Sequence, residues 1–164
     1  MKIKSIVGTL GAAATLVLTA GTIPAHAGAP RAGNIGWNYG MCLEIENSST
    51  ANGARAQIWS CAGQRGSYWY SRSVGSGYYE IRNSNSGKCL EIENSSTYNG
   101  ARAQQWDCKG QPGSLWRISP IAEDFVKIQN ASGKYLEVDG GATYNGARVQ
   151  QWQNNRQQLT WAMY

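Results

Sequence analysis

The stretch Gly87-Lys88-Cys89-Leu90-Glu91-Ile92-Glu93-Asn94, continued by Asn99-Gly100-Ala101-Arg102-Ala103-Gln104-Gln105-Trp106-Asp107-Cys108, recurs along the chain. An earlier copy reads Gly40-Met41-Cys42-Leu43-Glu44-Ile45-Glu46-Asn47, then Asn52-Gly53-Ala54-Arg55-Ala56-Gln57-Ile58-Trp59-Ser60-Cys61. A later copy reads Gly133-Lys134-Tyr135-Leu136-Glu137-Val138-Asp139, then Asn145-Gly146-Ala147-Arg148-Val149-Gln150-Gln151-Trp152. Trp59, Trp106 and Trp152 stand 47 and 46 positions apart, and a second tryptophan (Trp69, Trp116 or Trp161) closes each copy. A fixed period of this length means one structural unit used several times, each burying its apolar face against its neighbours. The units divide near 32–75, 76–122 and 123–164.

Each copy reads as strands joined by turns. Leu43-Glu44-Ile45-Glu46 alternates apolar and acidic residues, as do Leu90 to Glu93 and Leu136 to Asp139, the period of a half-buried strand. Asn-Gly recurs at 52–53, 99–100 and 145–146; both residues tolerate positive φ and mark turns. No segment has a helical period. Three copies of about four short strands predict an all-β architecture, a closed threefold barrel with a cap, since propellers usually have four or more blades. On the strand before Trp59, Ala56 and Ile58 share one face while Gln57 and Trp59 share the other. In the later copies Gln105 and Gln151 replace Ile58, and the phase blurs.

Residues 1–27 read as a secretory signal peptide: Lys2 and Lys4, an apolar run from Ile6 to Ala20, then Ala25-His26-Ala27 as a small-x-small cleavage site. The expected product is a secreted domain over 28–164, with no later run reaching the ~18 apolar residues of a membrane span. The net charge of +5 falls to +3 without the leader, and the scattered Lys and Arg do not form a nucleic-acid surface. His26 is the single histidine of the chain. The exported domain therefore has none, which excludes Ser–His and Cys–His nucleophile pairs and histidine-ligated metal sites. Carboxylates remain as general acids or bases. No cofactor and no metal are expected.

Four cysteines allow three pairings. Cys42 and Cys61 are 19 apart, as are Cys89 and Cys108, and the third copy lacks both partners at once. Loss as a pair is the mark of a disulfide within the repeat, so Cys42–Cys61 and Cys89–Cys108 are expected, in keeping with an oxidising compartment. Seven Trp and nine Tyr against one Phe favour surfaces that are part apolar and part wet.

The motifs at 87–92 and 99–108, with their copies, resemble the ricin B-type lectins, a β-trefoil family of three pseudo-symmetric repeats also found as carbohydrate-binding modules of secreted glycosidases. The resemblance spans nearly the whole exported chain. It implies that Glu44, Glu91 and Glu137 accept hydrogen bonds from sugar hydroxyls. It implies that Trp59, Trp106 and Trp152 stack on the sugar's apolar face, and that Gln57, Gln104 and Gln150 line the pockets. A flat ring covers the C–H face of a pyranose, and a charge-assisted bond to a carboxylate fixes its rim. Such shallow sites bind weakly, at about 0.1–1 mM. The implied partners are glycans of galactose, rhamnose or xylan type.

The chain also departs from the family, which usually places Asn-Gln shortly before the closing tryptophan. Gly66-Ser67, Gly113-Ser114 and Gln158-Leu159 stand there instead. That loss motivates an alternative, a trefoil with degenerate sugar sites acting as an interaction protein or hydrolase inhibitor. A two-carboxylate glycosidase is a third reading, since Glu44 and Glu46 share a strand face. Alternation, however, turns Leu43 and Ile45 inward and leaves both acids on an open surface. Trp69, Trp116 and Trp161 are expected in the core. Arg55, Arg102 and Arg148, one after each Asn-Gly, are expected on a solvated face.

Overall fold

Each alternating segment becomes a strand in a computed structural model, which describes residues 32–153 and 160–163. The expected leader, residues 1–27, and Gln158-Leu159 lie outside the described residues. The first repeat holds β1 (Gly33–Trp37), β2 (Met41–Ile45), β3 (Ala56–Ser60) and β4 (Tyr68–Gly75). The second holds β5 (Tyr78–Asn83), β6 (Cys89–Ile92), β7 (Ala103–Trp106) and β8 (Trp116–Pro120), and the third β9 (Phe125–Asn130), β10 (Tyr135–Val138), β11 (Ala147–Trp152) and β12 (Trp161–Met163). No α-helix occurs among the described residues.

The outer strands of the repeats close a barrel. β1 pairs with β4 and β12, β5 with β4 and β8, and β9 with β8 and β12, all antiparallel. Closure leaves this ring of six strands without an edge. The inner strands form three hairpins, β2–β3, β6–β7 and β10–β11, that cap it. Around the pseudo-threefold axis the hairpins touch in cyclic order: Arg148 faces Gln57, Arg55 bridges Gln104, and Arg102 bridges Gln150. The architecture is the β-trefoil that the repeat predicts.

Inward side chains from all three repeats form one core, including Leu43, Ile45, Leu90, Ile92, Leu136 and Val138. Trp69, Trp116 and Trp161 are buried in it as expected. Their indole N–H groups donate to the carbonyls of Leu43, Leu90 and Leu136 at 2.9, 2.9 and 3.0 Å. Each ring thus ties the end of its repeat to the capping hairpin. The disulfides are Cys42–Cys61 and Cys89–Cys108, each clamping the open end of a hairpin.

The ambiguous positions Gln105 and Gln151 are fully buried and face inward like Ile58. Every polar atom of their amides is used. Gln105 Nε2 donates to Ser49 O and Ala51 O at 2.8 and 2.9 Å, and its Oε1 accepts from Ser86 Oγ at 2.7 Å. Gln151 repeats this with Ser96 O, Tyr98 O and Ser132 Oγ. Buried amides are tolerated when satisfied in this way. The acceptors belong to the preceding repeat's loop, so these glutamines join the repeats. At the remaining junction Trp37 Nε1 donates to Ala142 O at 3.1 Å.

Candidate functional site

Cross-strand pairing assembles the same constellation three times. Glu44 faces Gln57, Glu91 faces Gln104, and Glu137 faces Gln150 in register. Two residues beyond each glutamine, on the same face of the strand, lies Trp59, Trp106 or Trp152. In the second repeat Gln104 Nε2 donates to Glu91 Oε2 at 3.1 Å. In the first, Gln57 Nε2 donates to Glu44 Oε2 at 3.3 Å. In the third, Gln150 Nε2 donates to Glu137 Oε1 at 2.9 Å and Asp139 Oδ1 at 3.2 Å. All nine predicted residues therefore fall into three groups of three.

One expectation is overturned. The acids do not stand on an open surface: Glu44, Glu91 and Glu137 are 5, 5 and 1% exposed. Alternation does turn Leu43 and Ile45 into the core, but the turn at Arg65–Ser67 lies against β2, and Pro112–Ser114 lies against β6. Hairpin residues are thus covered on both faces. Glu46 falls beyond β2, in a 3₁₀ turn. Trp59 and Trp106 remain 40 and 38% exposed, and Trp152 is half-buried.

The covering turns bring residues that the strand pattern does not reveal. Gln111 Nε2 donates to Glu91 Oε1 at 3.4 Å and to Asp107 O at 2.9 Å, while its Oε1 accepts from Lys109 N at 2.9 Å. Gln64 is held alike, donating to Ser60 O at 2.9 Å and accepting from Ala62 N at 3.0 Å. The signal was present, since Gln64 and Gln111 each follow the second cysteine of their copy by three positions. The unusual Gly-Ser pairs explain themselves here. A methyl group at Gly113 would lie 2.6 Å from Ile92 O, and one at Gly66 2.7 Å from Ile45 O, so only glycine lets the turn approach the strand. Ser114 Oγ and Ser67 Oγ then close the turns onto Gln111 O and Gln64 O at 2.9 and 2.7 Å.

Each group also borrows from the preceding repeat in the cyclic order. A methyl at Gly53 would sit 3.7 Å from Trp106 Cζ3, one at Gly100 3.6 Å from Trp152 Cζ3, and one at Gly146 3.9 Å from Trp59 Cζ3. The Asn-Gly turns therefore back the indoles across repeat boundaries. Their glycines have φ of 81, 77 and 85°, a region in which a side chain is strained. Their asparagines latch the next repeat: Asn52 Nδ2 to Asp107 Oδ2 at 3.0 Å, and Ser60 N and Gln153 N to Asn145 and Asn99 Oδ1 at 2.8 and 3.0 Å.

Charge at the groups is set by this packing. Burial pushes the Glu44 carboxyl above the usual carboxylate range, partly countered by the amides of Gln57 and Gln64. At the exposed Asp107, bonds from Lys88 and then Asn52 hold the carboxyl low. In the second repeat, Glu91, Asn94, Gln104, Trp106, Lys109 and Gln111 line a cleft of about 270 Å³. One carboxylate whose oxygens are steadied by two amides, beside a half-open indole, suits a neutral ligand with hydroxyls on one edge and C–H groups on a face. Among the described residues, the one grouping of His, Cys, Asp or Glu atoms close enough to share an ion is Glu80 with Cys89 and Cys108. Both of its sulfurs are committed to a disulfide. No helix among the described residues is long and apolar enough to cross a membrane.

Comparison with known proteins places the fold. The model of the family described as ricin-type beta-trefoil lectin domain-like matches residues 35–106, 67–152 and 116–163. The designed threefold-symmetric protein ThreeFoil superposes with a TM-score of 0.75 at 30% identity, over 80% of this chain and 96% of that one. An exo-β-1,3-galactanase from Clostridium thermocellum gives a TM-score of 0.78 at 27% identity, over 84% of this chain but 30% of the galactanase. The Polyporus squamosus lectin, solved with the epitope Neu5Acα2-6Galβ1-4GlcNAc, gives 0.70 at 20% identity, over 83% of this chain and 49% of the lectin; at that identity the likeness is one of fold. No curated protein matches the chain in sequence.

Proposed function

This chain belongs to the ricin-type β-trefoil lectin-like family, and we propose that it is a secreted, non-enzymatic lectin with up to three sugar sites. The carrying observation is the second repeat's cleft, where Glu91 is bonded by Gln104 and Gln111 beside the exposed face of Trp106. In this reading Glu44, Glu91 and Glu137 accept bonds from paired sugar hydroxyls. Trp59, Trp106 and Trp152 stack on the pyranose, and Gln57, Gln104 and Gln150 orient the acids and line the pockets. Gln64 and Gln111 take over the task of the amide that family members carry nearer the closing tryptophan. That substitution supports the sugar reading over a degenerate trefoil that binds only protein. The two disulfides support an oxidising destination, in line with the leader-like 1–27.

Three sites around one axis cannot all face the same way, so one molecule bridges glycans on separate surfaces. Linking weak sites raises avidity by about 10²–10⁴ over a single site. The mature protein is expected to bind an immobilised glycan array and agglutinate glycan-bearing cells, both reversed by free sugar. Binding that no sugar of galactose, rhamnose or xylan type inhibits would overturn the reading.

Acidity should weaken the first site early. The deprotonated carboxylate is the form that accepts two hydroxyl bonds, and burial favours the protonated form of Glu44. Sugar affinity at that site is therefore full above the raised pKa and falls as pH drops through it. For stability the sign is opposite: a carboxyl with a raised folded pKa contributes more stability as pH falls. Site-resolved titration, following the indole N–H resonance of Trp59 from pH 7 to 4, measures the midpoint. A midpoint at or below an ordinary glutamate value would contradict the assignment.

A further inference from the structure

Of the three arginines expected on a solvated face, Arg55 is exposed, whereas Arg102 and Arg148 are half-buried. Each precedes by two positions the glutamine of its sugar group, and each lies against the next repeat's glutamine around the axis. Arg102 and Arg148 line a single cleft of about 580 Å³ with Tyr98 and Glu93. Arg148 Nη2 donates to Gly100 O, which fixes that guanidinium over the repeat 2–3 boundary. Yet the Nε atoms of Arg102 and Arg148 are buried and meet no acceptor among the described residues. The ion pairs among those residues are Arg82–Glu80 and Lys88–Asp107; neither includes an arginine of this cluster.

Gathering like charges and withholding acceptors from buried donors both cost stability. Burial, then the charges of Arg55 and Arg148, holds the Arg102 guanidinium below its ordinary value, while Glu93 and Glu46 act the other way. An anion would relieve both costs at once. Guanidinium forks suit oxoanions in particular. Two guanidiniums that share one cleft and hold unused Nε–H donors can each offer a fork to the terminal oxygens of a sulfate or phosphate ester, with the ester oxygen directed to solvent.

We propose that Arg102 and Arg148 form a site for a tetrahedral oxoanion, separate from the three Trp–Glu groups, with the charge of Arg55 acting nearby. Its ligand is a sulfate-type group, either free or esterified to a saccharide.

The test is an NMR titration of the intact protein, following the arginine Nε–H resonances with sodium sulfate and with sodium chloride at equal ionic strength. Saturable shifts of Arg102 and Arg148 with sulfate alone, at a midpoint on the order of millimolar, support the site. Shifts that stay linear, or that chloride reproduces, overturn it on the wild-type protein, whatever the variants do. Arg102→Gln is expected to weaken sulfate binding at least tenfold. Exposed Glu93, whose charge opposes the anion, gives the converse variant: Glu93→Gln is expected to tighten binding on the order of threefold. Glucose 6-sulfate serves as a second ligand. Tenfold tighter binding than inorganic sulfate assigns the site to sulfated saccharides, and equal binding assigns it to the free anion. Indole resonances of Trp59, Trp106 and Trp152 that do not move keep this site distinct from the sugar groups.

Discussion

Trp106→Ala is expected to abolish measurable saccharide binding in the second repeat while the protein stays folded. The indole is 38% exposed, with Gly53 of the preceding repeat against one edge. Removing an aromatic anchor of this kind typically costs about 2 kcal/mol of binding, roughly thirtyfold. From a starting affinity of about 0.1–1 mM, that loss puts binding beyond ordinary titration. The structural cost is smaller, about 1 kcal/mol, because the ring lies at the surface rather than in the core. Glu91→Gln provides the partner experiment. It keeps the shape of the side chain but replaces one acceptor oxygen by a donor amide, facing the amides of Gln104 and Gln111. It should lower affinity comparably. Heteronuclear NMR with increasing sugar, read at each indole N–H, separates the three sites. Unchanged binding at the second repeat in both variants would remove the Trp–Glu group from the recognition surface.

A far larger effect on stability is expected from Trp116→Ala. Trp116 is fully buried, and its N–H is bonded to Leu90 O. Truncating a core tryptophan costs about 3–5 kcal/mol, a large share of the ~5–15 kcal/mol that holds a typical domain together. Trp116→Phe divides that cost. Phenylalanine restores much of the apolar volume but leaves Leu90 O without its donor, a penalty of about 1–3 kcal/mol. Denaturant unfolding of both variants should rank wild type above the phenylalanine variant, and that above the alanine variant, with sugar affinity per folded molecule little changed. Equal midpoints for wild type and Trp116→Ala would contradict the core role assigned to the closing tryptophans.

These two variants also divide what could be read in advance from what could not. The strand period around Leu43 and Leu90, the turn signal of Asn-Gly and the equal cysteine spacings are local properties of the chain. Backbone sterics and alternation act over a few residues, so they are legible without coordinates. Alternation was enough to turn Trp59 outward, and the resemblance to the ricin B-type lectins supplied the other outer tryptophans and the glutamine that goes with each acid. The same patterns misjudged the setting of the acids. Alternation tells which face of a strand is turned away from the core, but not whether another segment lies upon it. Gly66 and Gly113 admit such a segment, and Gln64 and Gln111 arrive with it.

By itself, then, the amino-acid sequence determined the three-part β architecture and the disulfide partners, because both follow from short-range repetition, while the membership of each Trp–Glu–Gln group came through the family resemblance that the repeated motifs carry. Tertiary structure alone decided that Gln105 and Gln151 are buried links between repeats, that every outer indole rests on a neighbour's glycine, and that Arg102 and Arg148 share one cleft. The reason is closure. When the barrel completes its ring, residues from 48 to 105 positions apart become neighbours, and no local period encodes which donor will meet which carbonyl across that junction.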